Sequence, residues 1–184
     1  MNKGLISARY AKALLDFAMK NSALEQVYGE ARMVEKSFNS FSTLNRALEN
    51  PVLPKSEKKK IMLMAAGGSV SPTFEKFVDL LVQNGREEDL QSVALKYIDL
   101  YRKMHNIRFG KLASAMQLDE ATEKRLISIV QQQTGGTIEL EKIINPELVG
   151  GFTFEVDFVR WDASVASQLK QIKKEYVEIN KIIV

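Results

Sequence analysis

Apolar residues recur three and four positions apart through roughly the first hundred residues and two apart soon after, so the chain changes character once along its length. Tyr10, Ala13, Leu14 and Phe17 form one helical stripe, and Leu24, Val27, Tyr28, Ala31, Val34 and Phe38 form a second. Ser22-Ala23-Leu24-Glu25 has the capping-box pattern and predicts where the second helix begins. A short helix over Thr43 to Glu49 is followed by Asn50-Pro51 and Pro54, which interrupt helical geometry. A fourth helix, Ser56 to Ala66, closes at Gly67-Gly68. The fifth takes Ser71 as N-cap and Pro72 as its first residue and stops at Asn84-Gly85. Leu90, Val93, Ala94, Tyr97, Tyr101 and Met104 carry the sixth. Short connections between these helices predict a compact antiparallel six-helix bundle over residues 1–105.

Beyond His105 the period shortens. Leu112, Ser114, Met116 and Leu118 share one phase of a strand, out of step with Ile107 and Phe109, which predicts a bulge near Gly110. Asp119 caps a helix to about Gln133, closed by Gly135-Gly136. Ile138, Leu140 and Ile144 mark a second strand. Phe152, Phe154, Val156 and Phe158 mark a third, with Thr153, Glu155 and Asp157 on its other face. A last helix starts near Asp162 or Ser164, so residues 106–184 read as a small βαββα, α+β domain. In that helix Val165, Leu169, Ile172, Tyr176, Ile179 and Ile183 make an a/d seam longer than so small a sheet needs, and its outer end is expected to pack on a partner.

Composition narrows the function. Apolar residues make up 45% and charged residues 27%, the balance of an ordinary globular chain, and no apolar run is long enough to cross a bilayer. The opening MNKGLISARYAKALL has no apolar core of a secretory leader, which predicts a bacterial cytoplasmic setting or a surface facing it. There are no cysteines, which excludes disulfides and thiol chemistry. A net charge of +3 is mild for nucleic-acid binding, and KSEKKK and KQIKKE read as solvated helix faces. Gly150-Gly151 precedes a strand with no Lys-Ser/Thr after it, and Gly67-Gly68-Ser69 also lacks a phosphate-binding lysine. The lone His105 has no cysteine or second histidine to build a metal site, and no serine sits in a nucleophile-elbow pattern. Glu87-Glu88-Asp89 fits the first turn of a helix, where the dipole favours acids. No catalytic, cofactor or metal site is expected.

Four stretches resemble one family. NPELVGGFTFEVDFVRWDASV, from Asn145, resembles the segment in which a glycine pair, an apolar strand and an Asp-Gly-Ser-Val turn lead into the last helix of the delta subunit of F-type ATP synthase. That subunit is the bacterial counterpart of the mitochondrial oligomycin-sensitivity-conferring protein. RYAKALLDFA, NPVLPKSEKKKIM and FVDLLVQNGREEDL match it in the same order, covering nearly the whole chain. Ala163 stands where the family has glycine, so a helical or extended backbone is expected there, and Asp157-Phe158 replaces a tight Gly-Asp turn.

The resemblance implies a helical bundle followed by a small α+β domain, no catalysis of its own, and a place in the stator on the cytoplasmic side of the bacterial inner membrane. It implies that the bundle holds N-terminal helices of the alpha subunits through Tyr10, Ala13 and Leu14 of the first helix and Phe77, Leu80 and Leu81 of the fifth. It implies that the second domain engages the b subunits of the peripheral stalk, with Ile172, Tyr176 and Ile179 on the seam that would do so. Gly150, Gly151, Asp162 and Ser164 carry the shared structural motif. Two other readings compete: a small basic nucleic-acid adaptor, resting on a pI of about 9.0 and the lysines of the last helix, and a nucleotide-dependent enzyme built on the glycine pairs.

Overall fold

The structure, a computed structural model, describes residues 3–182 apart from 118, 120, 121, 126, 129, 130, 132–136, 157 and 158, and for 3 and 175–182 it describes the backbone alone. The expectations at Leu118, Gly135, Gly136, Asp157, Phe158 and Ile183, and those for the side chains of Tyr176 and Ile179, lie outside the described residues. The chain is mainly helical with a small sheet, and divides into two compact units, Met1–His105 and Asn106–Val184.

In the first unit the helices are α1 (Lys3–Lys20), α2 (Leu24–Ser40), α3 (Thr43–Glu49), α4 (Lys55–Ala65), α5 (Pro72–Gln83) and α6 (Leu90–Met104). Glu87–Asp89 forms a single 3-10 turn leading into α6. Sequence periodicity puts Val93, Ala94, Tyr97, Ile98 and Tyr101 inward on α6, which packs against α1 and α2. Tyr97 is fully enclosed, and its hydroxyl donates to the Leu24 carbonyl at 3.1 Å, so the one polar atom it takes inside is satisfied.

Three helices of this unit end the same way. The N–H groups of Gly67 and Gly68 donate to the carbonyls of Met64 and Leu63, and those of Gly85 and Arg86 to Val82 and Leu81, with Gly67 and Gly85 at positive φ. The third stop corrects the sequence reading. Ser22, at φ 53, donates to Met19 while Ala23 donates to Ala18, so Ser22 closes α1 instead of capping α2. Ala23 holds the N-cap position of α2 without a side-chain cap bond, because Ser22 is taken up in the stop of α1.

The second unit holds a sheet of order β2-β1-β3-β4, from β1 (Ile107–Ser114), β2 (Thr137–Ile144), β3 (Phe152–Val156) and β4 (Val159–Asp162). β1 and β2 run parallel, so a crossover must join them. Residues 122–125, 127, 128 and 131 of that connection are helical, and Asp119 accepts from the Thr122 N–H at 3.0 Å, the expected cap. Two expectations are corrected here. No bulge interrupts β1, which pairs residue by residue from Ile107↔Thr137 to Ser114↔Ile144. Gly110 instead lies buried in the strand, where a Cβ would stand 2.9 Å from Val156 and 3.0 Å from Leu140, so the phase is continuous and its inward residue simply has no side chain. Met116 lies past the strand and is exposed. The described residues form four strands, not three, because Val159–Asp162 pairs with β3 and sets Trp161 against Phe154 at 5.8 Å. Leu112, Ile138, Phe154 and Val156 form the core of this unit. The C-terminal helix (Val165–Ile182) follows.

Candidate functional site

The N-terminus of α5 is held by its own cap and by a buried acid of α2. Ser71 accepts the Phe74 N–H on its hydroxyl at 3.1 Å, and the same hydroxyl donates to Glu30 Oε2 at 2.9 Å. The Ser71 N–H donates to Glu30 Oε1, so one carboxylate of α2 orients the whole cap. Glu30 is buried, and burial raises its pKa above the ordinary value against the opposing pull of the Ser71 hydrogen bonds. Farther along α5, Lys59 of α4 sits 2.7 Å from Asp79 and 3.1 Å from Glu75, and these carboxylates raise the lysine's pKa. Both tethers come from one side. Thr73, Phe74, Phe77, Val78 and Leu81 fill the interior, and the opposite flank of α5 is left to meet α1.

There the two helices enclose a groove of about 250 Å³ lined by Ala13, Leu14 and Phe17 of α1 and Lys76, Phe77 and Leu80 of α5. Leu14 and Phe77 are buried and make its floor; Phe77 is steadied by Phe74, with ring centroids 6.2 Å apart. Ala13 and Leu80 are open, Leu80 to 42%. Of the six residues expected to hold a partner, four therefore line one groove. Leu81 is 0% exposed and belongs to the core, and the half-buried Tyr10 stands outside the lining. Phe17 and Lys76 complete the lining. Phe17 was visible as the end of the Tyr10 stripe, whereas nothing in the local pattern singled out Lys76 from other exposed lysines.

The second unit carries the other expected surface. Val165, Leu169 and Ile172 of the C-terminal helix are exposed to 37%, 56% and 61%, so this part of the seam is not used up by its own unit. The helix is rooted by the family-like motif. Asp162 Oδ1 accepts from the Ser164 N–H at 3.0 Å and its hydroxyl at 2.6 Å, and Oδ2 accepts from the Ser167 hydroxyl at 2.8 Å. The Ser164 hydroxyl hydrogen bonds hold the Asp162 carboxyl down at about 2, helped by the Ser164 N–H and Ser167. Ser164, itself buried, takes the Ser167 N–H as N-cap. Ala163 is not in the left-handed region, as expected for a non-glycine there.

The glycine pair is explained by the same root. Gly150 O accepts the Val165 N–H at 3.0 Å and Phe152 O accepts the Ala163 N–H at 2.9 Å, which draws both chain segments together. A Cβ on Gly151, at φ 74, would fall 2.1 Å from the Ala163 carbonyl oxygen, and one on Gly150 would fall 2.9 Å from Val165. The two glycines admit close backbone approach and make no anion cradle. Among the described residues no cluster of acids and histidine could hold a metal, and no helix is long and apolar enough to cross a membrane.

Comparison with known proteins agrees across the chain. Residues 6–176 match the family model for the ATP synthase delta (OSCP) subunit. The chain is 43% identical over 182 residues to the ATP synthase subunit delta of Phocaeicola vulgatus, covering 98% of each. It is 32% identical over 168 residues to the chloroplastic ATP synthase subunit delta of Emiliania huxleyi, covering 91% of this chain and 93% of that one. A chain in the cryo-EM structure of the Toxoplasma gondii mitochondrial ATP synthase hexamer shares the fold, with a TM-score of 0.64 at 22% identity over 93% of this chain and 97% of its own. Similarity along the full length leads to one assignment: the chain belongs to the ATP synthase delta (OSCP) subunit family.

Proposed function

We propose that this subunit is a non-catalytic part of the ATP synthase stator, joining the catalytic head to the peripheral stalk so that the head does not turn with the rotor. The first unit, an antiparallel six-helix bundle, grips the head by receiving an N-terminal helix of an alpha subunit between α1 and α5. The observation that carries this is the apolar groove in which Leu80 and Ala13 remain open above a floor of Leu14 and Phe77. An amphipathic helix laid there buries surface that the bundle leaves uncovered. The second unit engages the b subunits through the exposed Leu169 and Ile172 of the C-terminal helix, in a seam that continues through Tyr176 and Ile179. The subunit thus works at the cytoplasmic face of the bacterial inner membrane, held there by its complex.

The test uses the full chain and a synthetic peptide of the alpha N-terminus. Leu80→Ala is expected to weaken binding by about 1–2 kcal/mol without lowering the melting temperature, the scale of one partly buried apolar anchor. Leu81→Ala, in the core, is expected to cost about 2–5 kcal/mol of stability. Calorimetric titration and thermal melting of both variants separate the effects. Unchanged affinity in Leu80→Ala would move the docking surface off this groove.

A further inference from the structure

The groove is apolar except at one position. Lys76 contributes the one charged side chain of its lining, and among the described residues no ion pair or hydrogen bond engages it. The acids of the same helix are committed elsewhere: Glu75 and Asp79 both meet Lys59 of α4. The flank of α1 beside the groove adds to the imbalance. Arg9 stands four residues before Ala13 and Lys20 three after Phe17, both exposed, against the single acid Asp16. Helical residues three and four apart share a face, so these charges border the lining residues.

We infer that Lys76 is a specificity-determining residue of the docking groove, and that the helix seated there carries a carboxylate beside its apolar anchors, placed to pair with Lys76. This rests on the docking reading above. The apolar floor supplies attachment, and a helix can lie in such a trough in either direction and in several registers that bury similar area. A cation at one wall distinguishes them, because only the register that brings an acid to Lys76 compensates its charge as the helix covers it. A helix bearing lysine or arginine at that place is rejected by the same lysine.

The experiment pairs Lys76→Gln with synthetic alpha N-terminal peptides in which each Asp or Glu in turn is replaced by its amide, and adds Leu80→Ala as the control for the groove. On the full chain at low salt, Lys76→Gln is expected to weaken the unmodified peptide about two- to fivefold, the range of a partly exposed ion pair. One amide substitution should reproduce that loss and show no further loss with Lys76→Gln, and raising salt should shrink the difference between wild type and variant. The exposed position makes the melting temperature an independent check that folding is untouched. If Leu80→Ala weakens binding while Lys76→Gln changes neither affinity nor its salt dependence, the pairing is wrong and the groove stands. If neither substitution matters, the groove itself is not the site.

Discussion

Glu30 is a buried acid of the first unit that organises a neighbouring helix through Ser71, with no cation paired to it among the described residues. Its raised pKa means that the folded chain holds this proton more tightly than the unfolded chain, where the ordinary value is 4.5. Its contribution to stability is therefore greatest below pH 4.5 and is lost as the pH rises through the higher native value. Glu30→Gln removes the titration. The stability of wild type relative to that variant, measured by denaturant unfolding across the acid range, should fall as the pH rises toward neutrality. A difference independent of pH would mean that the carboxyl is not desolvated as the fold implies. Local patterning does not reveal this arrangement: Glu30 lies 41 residues from Ser71, and a lone acid on a helical stripe reads as surface.

Elements were legible where a short-range rule decides them. Ser71-Pro72 caps α5 and Asn84-Gly85 stops it, because both are local backbone chemistry. The Ser22 turn misled for a physical reason: a serine can satisfy a capping pattern or take a left-handed helix stop, and the geometry of α1 chose the second. β4 escaped notice because four residues with two charges show too little alternation. The groove was half legible, since periodicity finds the inward stripe but cannot divide Leu80 from its neighbour Leu81, one open and one enclosed. The root of the C-terminal helix offers the sharpest test at this scale. Gly151→Ala combines a left-handed backbone with overlap onto the Ala163 carbonyl, and is expected to destabilise the second unit by about 2–4 kcal/mol. Circular dichroism of the full chain during urea unfolding would report it, and a change below about 0.5 kcal/mol, ordinary for a surface site, would refute the close approach.

At the scale of the whole chain, the change of hydrophobic period falls where the two compact units divide, at His105 and Asn106. Both residues are exposed, and Asn106 has φ 52. Trypsin has four basic targets nearby, but they are not equivalent. Arg108 and Lys111 are locked in β1, paired with β2, while Arg102 donates to the Tyr28 hydroxyl. Brief digestion is therefore expected to nick first after Lys103, giving fragments of the two units identifiable by mass spectrometry. A first cut inside α1 to α5 would contradict that order.

The root described at Asp162, Ser164 and the glycine pair also has a mechanical meaning. An 18-residue helix is about 27 Å long, so a sideways push near its tip acts on its base through a lever arm of that length. The base resists with a collar of short bonds distributed between two chain segments, Gly150 to Phe152 on one side and Asp162 to Ser167 on the other. For the stator role proposed above, resistance to such a push depends on this collar, and the absence of two Cβ atoms is what lets its two segments approach closely.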